Sequence, residues 1–259
     1  MKRLCILGFA FLLFAGAAIG LDGLPKKILF IGNSLTYYNR GLGHLLEKLA
    51  VSASPPMSIK CDDATMSSMG LRLLWLQRSD RHDRILKGCY DIVVLQDTLV
   101  AMSGKYSFDT EEQFNEYTKK FDDEIRKGGA HTVLLMHWRL KAEATMPIED
   151  VERLHTDVSK KLNVEVAPAG LAWLQSERER PELNLYADEL HPEAKGSYLT
   201  ACVLYATIFK KNPTGLSYIA DDIDTLDGKK VTQDEATFLQ QVAWQTVMKY
   251  KPANVSQQP

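Results

Sequence analysis

The sequence predicts an α/β protein whose core is a doubly wound parallel sheet of about five strands. Five short apolar stretches recur along the chain, and segments with helical spacing or composition separate them. Strands of about five residues that alternate with helices of ten or more indicate βαβ units. With 259 residues, the chain is long enough for one sizeable domain of this class.

The predicted strands are continuous apolar runs, which is typical of parallel strands covered by helices on both faces. In chain order they are KKILFIG, MSIKC, YDIVVLQ, HTVLLMH and NVEVAP.

The helical segments between and after these strands carry the punctuation expected of helix ends. Asp109 is a capping residue with acidic residues behind it, and the pair Gly128-Gly129 ends the same helix. Pro192 suits the first position of a long apolar helix that runs to about Lys210. A last helix covers about 232–250. The earlier helical segments are GLGHLLEKLAVSA, GLRLLWLQRSDRHDRIL, FDTEEQFNEYTKKFDDEIRKG, MPIEDVERLHTDVSKKL and GLAWLQSERE.

The first twenty residues have the pattern of a secretory signal peptide. Lys2 and Arg3 precede an apolar run from Leu4 to Gly20 that ends in small residues. The run is short for a membrane span, which needs about 20 residues. We expect cleavage near Gly20, a single domain over 21–259 and a secreted or periplasmic protein. A retained membrane anchor is the alternative.

Charge and cysteine content exclude some classes of partner. The net charge is −2, and −4 once Lys2 and Arg3 are removed, so no strong positive field attracts nucleic acid. The cysteines that remain after cleavage are Cys61, Cys89 and Cys202. Three cysteines do not make a disulfide framework. Two alternatives remain for them, one disulfide in an oxidising compartment or small buried thiols. The sequence contains no C-x-x-C pair that would indicate a metal site.

A serine follows the first predicted strand directly, in ILFIGNSLT. Ligands of open parallel sheets bind beyond the carboxyl ends of the strands, and Ser34 lies at such an end. Gly32 permits a tight turn, and Asn33 tolerates unusual backbone angles. Ser34 is therefore well placed as a nucleophile, provided that a base takes its proton. Without a base it is an ordinary turn residue.

The candidate base lies near the other end of the chain, in LYADELHPE. Asp188 and His191 are three residues apart in a loop that ends at Pro192, because proline disfavours helix at the residue before it. A carboxylate so near can hold one imidazole nitrogen and leave the other free as a base. The alternative is that Asp188 or His191 only caps a helix.

These two motifs together resemble the SGNH (GDSL-type) hydrolases, a family of esterases and lipases. The resemblance runs from about Lys27 to Lys210 and implies a flavodoxin-like three-layer α/β/α sandwich. It implies that Ser34 is the nucleophile, with Asp188 and His191 as its partners. It also implies an oxyanion hole built from the backbone N–H groups of Ser34 and of a glycine after the second strand, for which Gly70 is the best match.

The third block of the family departs from its usual pattern here. Family members place an asparagine amide after the third strand, whereas this chain has Gln96 followed by Asp97 in YDIVVLQDT. Gln96 keeps the same NH₂ donor on a longer side chain, so it is expected to complete the oxyanion hole. An anionic Asp97 would repel the developing charge. Loss of one such donor costs about 10²–10³ in rate.

Other polar residues have less specific expectations. His137 ends the fourth strand and either lines the substrate pocket or bridges strand and loop. The run Tyr37-Tyr38-Asn39 either forms a rim for sugar stacking, with Tyr37 as a substrate-binding candidate, or its tyrosines pack under the first helix. His44, His82 and His155 lie in helical patterns among charged residues and are expected at the surface.

Two functions from different classes fit the sequence. The first is a secreted serine esterase that hydrolyses a short-chain acyl ester, such as an acetyl ester, of a small molecule or polysaccharide. It is expected to need no metal and no organic cofactor. The second is a non-catalytic carbohydrate-binding or scaffold protein that retains the fold with a damaged oxyanion hole.

Overall fold

The computed structural model describes residues 23–77, 79–99, 109–141, 146–223 and 230–250. The predicted signal segment lies outside these residues and stays a prediction. No helix within the described ranges is long and apolar enough to cross a lipid bilayer. The thiols of Cys61, Cys89 and Cys202 are free, so none of them forms a disulfide.

The described residues form the predicted parallel sheet of five strands. Every neighbouring pair is parallel, and the order across the sheet is β2-β1-β3-β4-β5. This is the flavodoxin-like order, in which the chain reverses its direction of progress between β1 and β3. The fold class is thereby confirmed. The strands are β1 (Lys27–Ile31), β2 (Lys60–Asp63), β3 (Ile92–Gln96), β4 (His131–Leu135) and β5 (Glu165–Ala167).

Helices connect the strands and follow the last one. All but one of the long predicted helices are present among the described residues, and a four-residue helix that was not predicted begins at the candidate nucleophile. Their bounds are α1 (Ser34–Tyr37), α2 (Leu42–Val51), α3 (Leu71–Leu76), α4 (Arg81–Lys87), α5 (Glu111–Lys127), α6 (Ile148–Leu162), α7 (Ala169–Glu179), α8 (Ala194–Phe209) and α9 (Gln233–Lys249).

The prediction of a single helix over 70–86 is wrong, because the helical conformation is interrupted between α3 and α4. The guanidinium of Arg81 is buried and donates to the carbonyl oxygen of Leu74 at 2.6 Å and to that of Ala64 at 3.0 Å. Arg81 therefore takes up a carbonyl that the last turn of α3 leaves without a partner.

The start of α8 also differs from the prediction. The helix begins at Ala194, two residues after Pro192, and Glu193 is its N-cap. The Glu193 carboxylate accepts a hydrogen bond from the Lys195 N–H at 3.0 Å. An anionic oxygen that satisfies a free N–H is the favoured way to begin a helix.

The strand side chains alternate between two hydrophobic clusters, one on each face of the sheet. Phe30 and Val94 belong to the cluster formed with α2, α7, α8 and α9, whereas Leu29 and Val93 belong to the cluster formed with α3, α4, α5 and α6. The architecture is therefore a three-layer α/β/α sandwich. All residues of α8 except Lys195 are buried, which explains why this helix is apolar around its whole circumference.

Candidate active site

The structure brings Ser34 and His191 together across 157 residues of sequence. The Ser34 Oγ lies 2.9 Å from His191 Nε2, and His191 Nδ1 lies 2.8 Å from Asp188 Oδ2. Ser34 is the first residue of α1, directly beyond the carboxyl end of β1. The imidazole thus bridges a hydroxyl and a carboxylate, in the arrangement that lets one nitrogen act as a base while the other is held.

The loop that carries Asp188 and His191 is organised by the aspartate itself. Asp188 Oδ1 accepts the backbone N–H groups of Leu190 and His191, both at 2.7 Å. Partial burial raises the pKa of Asp188, but the hydrogen bonds from His191 and Leu190 outweigh that effect and hold the pKa below its usual value. Asp188 is therefore a carboxylate at neutral pH, as its contact with His191 Nδ1 requires.

The segment after β4 holds this loop from the outside. Trp138 is buried, and its indole N–H donates to the carbonyl oxygen of Leu190 at 3.2 Å. The Lys141 N–H donates to the carbonyl oxygen of Glu189 at 2.8 Å. The Trp138 ring stacks on Trp173 of α7 with centroids 4.1 Å apart. Sequence analysis missed Trp138, whose only signal is its position directly after a predicted strand end.

Asn33 fixes the turn that presents Ser34. Its side-chain oxygen accepts the Leu35 N–H at 3.2 Å, which caps the start of α1. Its amide NH₂ donates to the carbonyl oxygen of Met69 at 3.0 Å and to Thr98 Oγ1 at 2.9 Å. Asn33 has φ −125°, an ordinary extended value, so its tolerance of unusual backbone angles is not used here. The side chain, rather than the backbone, requires asparagine here.

Gly32 is required by close packing rather than by a turn. A Cβ at this position would lie 2.6 Å from Gln96 Oε1 and 2.7 Å from Thr36 Oγ1. Its φ does not fall in the left-handed region, in contrast to Gly41 at φ +86°. The absence of a side chain leaves room for the Gln96 amide and the Thr36 hydroxyl beneath the turn that carries Ser34.

The expected oxyanion role of Gln96 is not supported by its contacts. Gln96 is 1% exposed, and its Oε1 accepts the Asn33 N–H at 3.0 Å and the Thr36 hydroxyl at 2.9 Å. A backbone N–H can only donate, so the orientation of the amide is fixed. Its NH₂ then donates to the Asp97 carbonyl oxygen at 2.8 Å and to Thr98 Oγ1 at 3.2 Å. With both N–H groups engaged, Gln96 supports the turn instead.

Two backbone donors remain beside the nucleophile. Among the described residues, neither the N–H of Ser34 nor that of Gly70 donates to another atom. The hydrogen bond from Asn33 to the Met69 carbonyl oxygen joins the Met69–Gly70 peptide unit to the turn that carries Ser34. The oxyanion role that sequence analysis expects for these two N–H groups stays a prediction.

Gly70 packs against a buried carboxyl group, that of Asp109. A Cβ on Gly70 would lie 2.6 Å from Asp109 Cγ, which explains the absence of a side chain. The prediction that Asp109 caps α5 is wrong. Thr110 is the cap and accepts the Gln113 N–H at 3.4 Å, while the Asp109 side chain turns inward and is 0% exposed.

Asp97 and Asp109 are two buried carboxyl groups that lie near each other under the first turn of α3. Asp109 Oδ2 accepts the Arg72 N–H at 2.6 Å, and Asp97 Oδ1 accepts the Thr98 N–H at 2.7 Å and the Leu71 N–H at 3.3 Å. Burial and the negative charge of Asp109 raise the pKa of Asp97 well above its usual value. Burial also raises the pKa of Asp109, against the hydrogen bond from Arg72. The raised pKa favours the protonated, neutral form of Asp97.

His137 does not line a pocket, so this expectation is wrong. The side chain is 0% exposed, Nδ1 lies 2.7 Å from the carbonyl oxygen of Trp138, and Nε2 accepts the Leu99 N–H at 3.2 Å. Burial lowers the pKa of His137 to about 4. The alternative interpretation, a histidine that bridges strand and loop, matches these contacts.

The three histidines that were expected at the surface differ in their exposure. His155 is buried, and its Nδ1–H donates to the carbonyl oxygen of Val151 at 2.7 Å. Burial lowers the pKa of His155 to about 3. The surface prediction for His155 is therefore wrong. His44 and His82 are partly exposed and lie 2.8 Å and 2.9 Å from Asp222 and Glu124. In the described parts of the chain, no three His, Cys, Asp or Glu side chains are grouped closely enough to hold a metal ion.

The segment directly after Ser34 contacts the imidazole through one ring, that of Tyr38. Tyr37 is 37% exposed beside Ser34. Tyr38 stacks on His191, with ring centroids 4.6 Å apart and planes 18° apart. Asn39 donates to the carbonyl oxygen of Pro192 at 2.8 Å. Sequence analysis considered Tyr38 and Asn39 only as parts of a rim for sugar stacking, and not as partners of His191 or Pro192.

No protein-family model matches this sequence, and no curated protein matches it. Several solved structures do match. A protein from Slackia heliotrinireducens assigned as an SGNH hydrolase has a TM-score of 0.57 at 18% identity, over 70% of this chain and 98% of that chain. A DUF4886 family protein from Bacteroides uniformis has a TM-score of 0.62 at 13% identity, over 86% of this chain and 95% of that chain.

A third match is an acetylxylan esterase from Geobacillus stearothermophilus. Its TM-score is 0.56 at 14% identity, over 71% of this chain and 94% of that chain. These similarities, at identities far below those that define close relatives, are similarities of fold. The protein therefore has the SGNH hydrolase fold, a fold shared with solved acetylxylan esterases.

Proposed function

We propose that the protein is a serine esterase that hydrolyses a carboxylic ester through Ser34, His191 and Asp188. In the first half-reaction, His191 Nε2 takes the proton of the Ser34 hydroxyl, and Ser34 Oγ attacks the ester carbonyl carbon. The bond to the alcohol oxygen then breaks, and the alcohol leaves with the proton from His191. The product at the protein is an acyl-enzyme on Ser34.

The second half-reaction uses the same groups in reverse. His191 takes a proton from water, the resulting hydroxide attacks the acyl carbon, and Ser34 Oγ leaves and recovers the proton. In both tetrahedral intermediates the oxyanion accepts from the N–H groups of Ser34 and Gly70. Asp188 holds the Nδ1 side of the imidazole and stabilises the imidazolium that forms in each half-reaction.

The observation that carries this proposal is the double contact of His191. Its Nε2 lies 2.9 Å from Ser34 Oγ while its Nδ1 lies 2.8 Å from a carboxylate with a depressed pKa. A helix-capping role for Asp188 or His191 would not need the serine at that distance. The similarity in fold to solved acetylxylan esterases supports the same reaction class.

The proposed substrate is a short-chain ester, with acetyl groups on a carbohydrate as the first choice. The support is the fold shared with acetylxylan esterases and the predicted signal segment, which would place the protein where polysaccharides occur. The exposed ring of Tyr37 beside Ser34 is proposed as a stacking surface for a sugar.

The Ser34→Ala substitution tests the reaction class. We expect the purified protein to hydrolyse p-nitrophenyl acetate, and Ser34→Ala to lower kcat by more than about 10³-fold because the nucleophile is lost. Ser217→Ala removes an exposed serine from the loop after α8 and serves as the matched control with unchanged kcat. Acetylated xylan and deacetylated xylan then test the acyl group by acetate release.

The second candidate is a carbohydrate-binding protein without activity. It is favoured by one observation, the engagement of both Gln96 amide N–H groups away from any oxyanion position. Equal turnover of wild type, Ser34→Ala and buffer would overturn the esterase. Binding of xylan oligosaccharides by both proteins in the same samples would then support the second candidate.

A further inference from the structure

The ring of Tyr38 covers one face of the His191 imidazole. The two rings are nearly parallel, with centroids 4.6 Å apart and planes 18° apart. The carboxylate on the other side of the histidine is poorly shielded, since the Asp188 side chain is 52% exposed while that of His191 is 23% exposed. Water therefore competes for Asp188, and the single carboxylate contact holds the imidazole plane only loosely.

Tyr38 is itself held in place by the nucleophile segment. It is the C-cap of α1, and its N–H donates to the carbonyl oxygen of Ser34 at 3.0 Å. The next three residues all have left-handed backbones, with φ of 52° at Asn39, 70° at Arg40 and 86° at Gly41. Left-handed conformations cost free energy in residues other than glycine, so the surrounding contacts must hold them.

Contacts on both sides of the turn supply that support. The Asn39 amide donates to the carbonyl oxygen of Pro192 at 2.8 Å and to Ser197 Oγ at 2.9 Å. Arg40 pairs with Asp222 at 2.8 Å. The strained turn thus ties the segment after Ser34 to the residue directly after His191 and to the first turn of α8.

Two physical effects follow from the ring contact. Parallel packing against a fixed ring restricts rotation of the imidazole about its side-chain bonds, so Nε2 stays directed at Ser34 Oγ. The electron-rich face of a tyrosine also attracts a cation, which favours the imidazolium formed when His191 takes the serine proton. Both effects act on the transition state rather than on substrate binding.

We infer that Tyr38 is a positioning residue for His191, which its ring holds between Ser34 and Asp188. This inference rests on the proposed esterase function. It assigns the role to the ring and not to the phenol oxygen. Its effect is therefore expected in kcat, and a phenylalanine is expected to replace the tyrosine.

The test compares Tyr38→Leu, Tyr38→Phe and Phe238→Leu in p-nitrophenyl acetate hydrolysis, with thermal unfolding of each variant. Phe238 is a half-buried ring on α9 and is the matched control. We expect Tyr38→Leu to lower kcat about tenfold with KM changed less than about twofold, on the scale of one aromatic contact. We expect Tyr38→Phe and Phe238→Leu to stay within about twofold of wild type.

A double-mutant cycle separates positioning from general destabilisation. If Tyr38 acts through His191, its loss and the Asp188→Ala change are non-additive, because both act through the same imidazole. Tyr38→Leu therefore costs clearly less in the Asp188→Ala background. Strict additivity, an unchanged kcat in Tyr38→Leu or an equal loss in Tyr38→Phe would each overturn the inference.

Labelling of Ser34 with a fluorophosphonate distinguishes the two possible failures. If wild type is neither labelled nor active, the proposed esterase fails, and this inference fails with it. If wild type is labelled and active while Tyr38→Leu is labelled at the wild-type rate, only the role of Tyr38 is overturned. Slower labelling of Tyr38→Leu, restored in Tyr38→Phe, supports it.

Discussion

At the scale of residues, the site depends on where single protons are held. Hydrogen bonds from its own loop hold the pKa of Asp188 below its usual value, so a negative charge lies next to Nδ1 of His191. The buried carboxyl groups of Asp97 and Asp109 show the opposite effect, since burial raises the pKa of both under the first turn of α3. The first arrangement serves a proposed reaction. The second is a structural support next to Gly70.

The buried pair predicts a dependence of stability on pH. Because burial raises the pKa of Asp97 in the folded protein, its contribution to stability is fully present below the unfolded pKa of about 3.9 and is lost as pH rises through the raised value. Asp97→Asn cannot ionise, and its amide keeps an acceptor for the Leu71 N–H. Arg72 Nε, 3.9 Å from Asp109 Oδ1, is the cation that faces the pair.

We therefore expect the free energy of unfolding of Asp97→Asn to match that of wild type near pH 4 and to exceed it increasingly towards pH 8. Urea unfolding across this range measures the difference. Asp123→Asn changes an exposed aspartate on α5 and is the control without a growing difference. A difference between Asp97→Asn and wild type that is constant with pH would contradict the raised pKa of Asp97.

At the scale of elements, the base is placed by the contact between α8 and the loop before it. The Leu185 carbonyl oxygen accepts the Glu193 N–H at 2.8 Å, and Ala187 donates to the His191 carbonyl oxygen at 2.9 Å. These bonds close the loop into a compact turn that directs His191 towards α1. Gly196, in the first turns of α8, lets this turn lie directly against the helix.

The Gly196→Ala substitution tests this packing. The added methyl group would overlap the Leu185 carbonyl oxygen and the Trp173 ring, and the backbone atom cannot rotate away. Overpacking of this kind costs about 1–3 kcal/mol. We expect the free energy of unfolding, measured in urea, to fall by that amount. We also expect a lower kcat, because the loop that carries His191 shifts. A variant as stable as wild type would show that α8 tolerates the displacement.

At the scale of the whole molecule, the sheet order brings the two halves of the site to one place. The connections that leave β1 and β3 diverge, so the space beyond their carboxyl ends is open to a ligand. The buried helix α8 spans one face of the sheet, and α9 covers α8 in turn. The C-terminal helix is therefore part of the layer that carries His191.

Leu239→Ala tests how far this layer depends on α9. Leu239 is 0% exposed on the face of α9 in the same cluster as α8. Its truncation should lower the free energy of unfolding by about 2–5 kcal/mol because a cavity remains. We expect the kcat of the folded protein to stay near wild type, since the residue touches no part of the site. Urea unfolding and esterase assays at low temperature measure the two effects, and a loss of kcat without a loss of stability would contradict this assignment.

Much of this arrangement is present in the local pattern of the chain. Continuous apolar runs of strand length and amphipathic runs of helix length are enough to predict five parallel strands, because each pattern reflects the surface that its element must bury. The pairing of Ser34 with Asp188 and His191 was also predictable, since the serine follows a strand end and a carboxylate three residues from a histidine can hold its imidazole. The resemblance of these two motifs to the SGNH hydrolases implies the same pairing.

Tertiary structure decided what the buried polar groups do. Gln96 carries the right amide, but the Asn33 N–H fixes its oxygen and turns its NH₂ away from the nucleophile. Asp109 is a residue type that often caps helices, yet its side chain turns inward and is buried near Asp97. A side chain with several hydrogen-bond groups satisfies whichever partners the fold places around it, and those partners come from distant parts of the chain. Local sequence determined the elements and the position of Ser34 at a strand end, whereas only packing determined the orientation of each polar side chain.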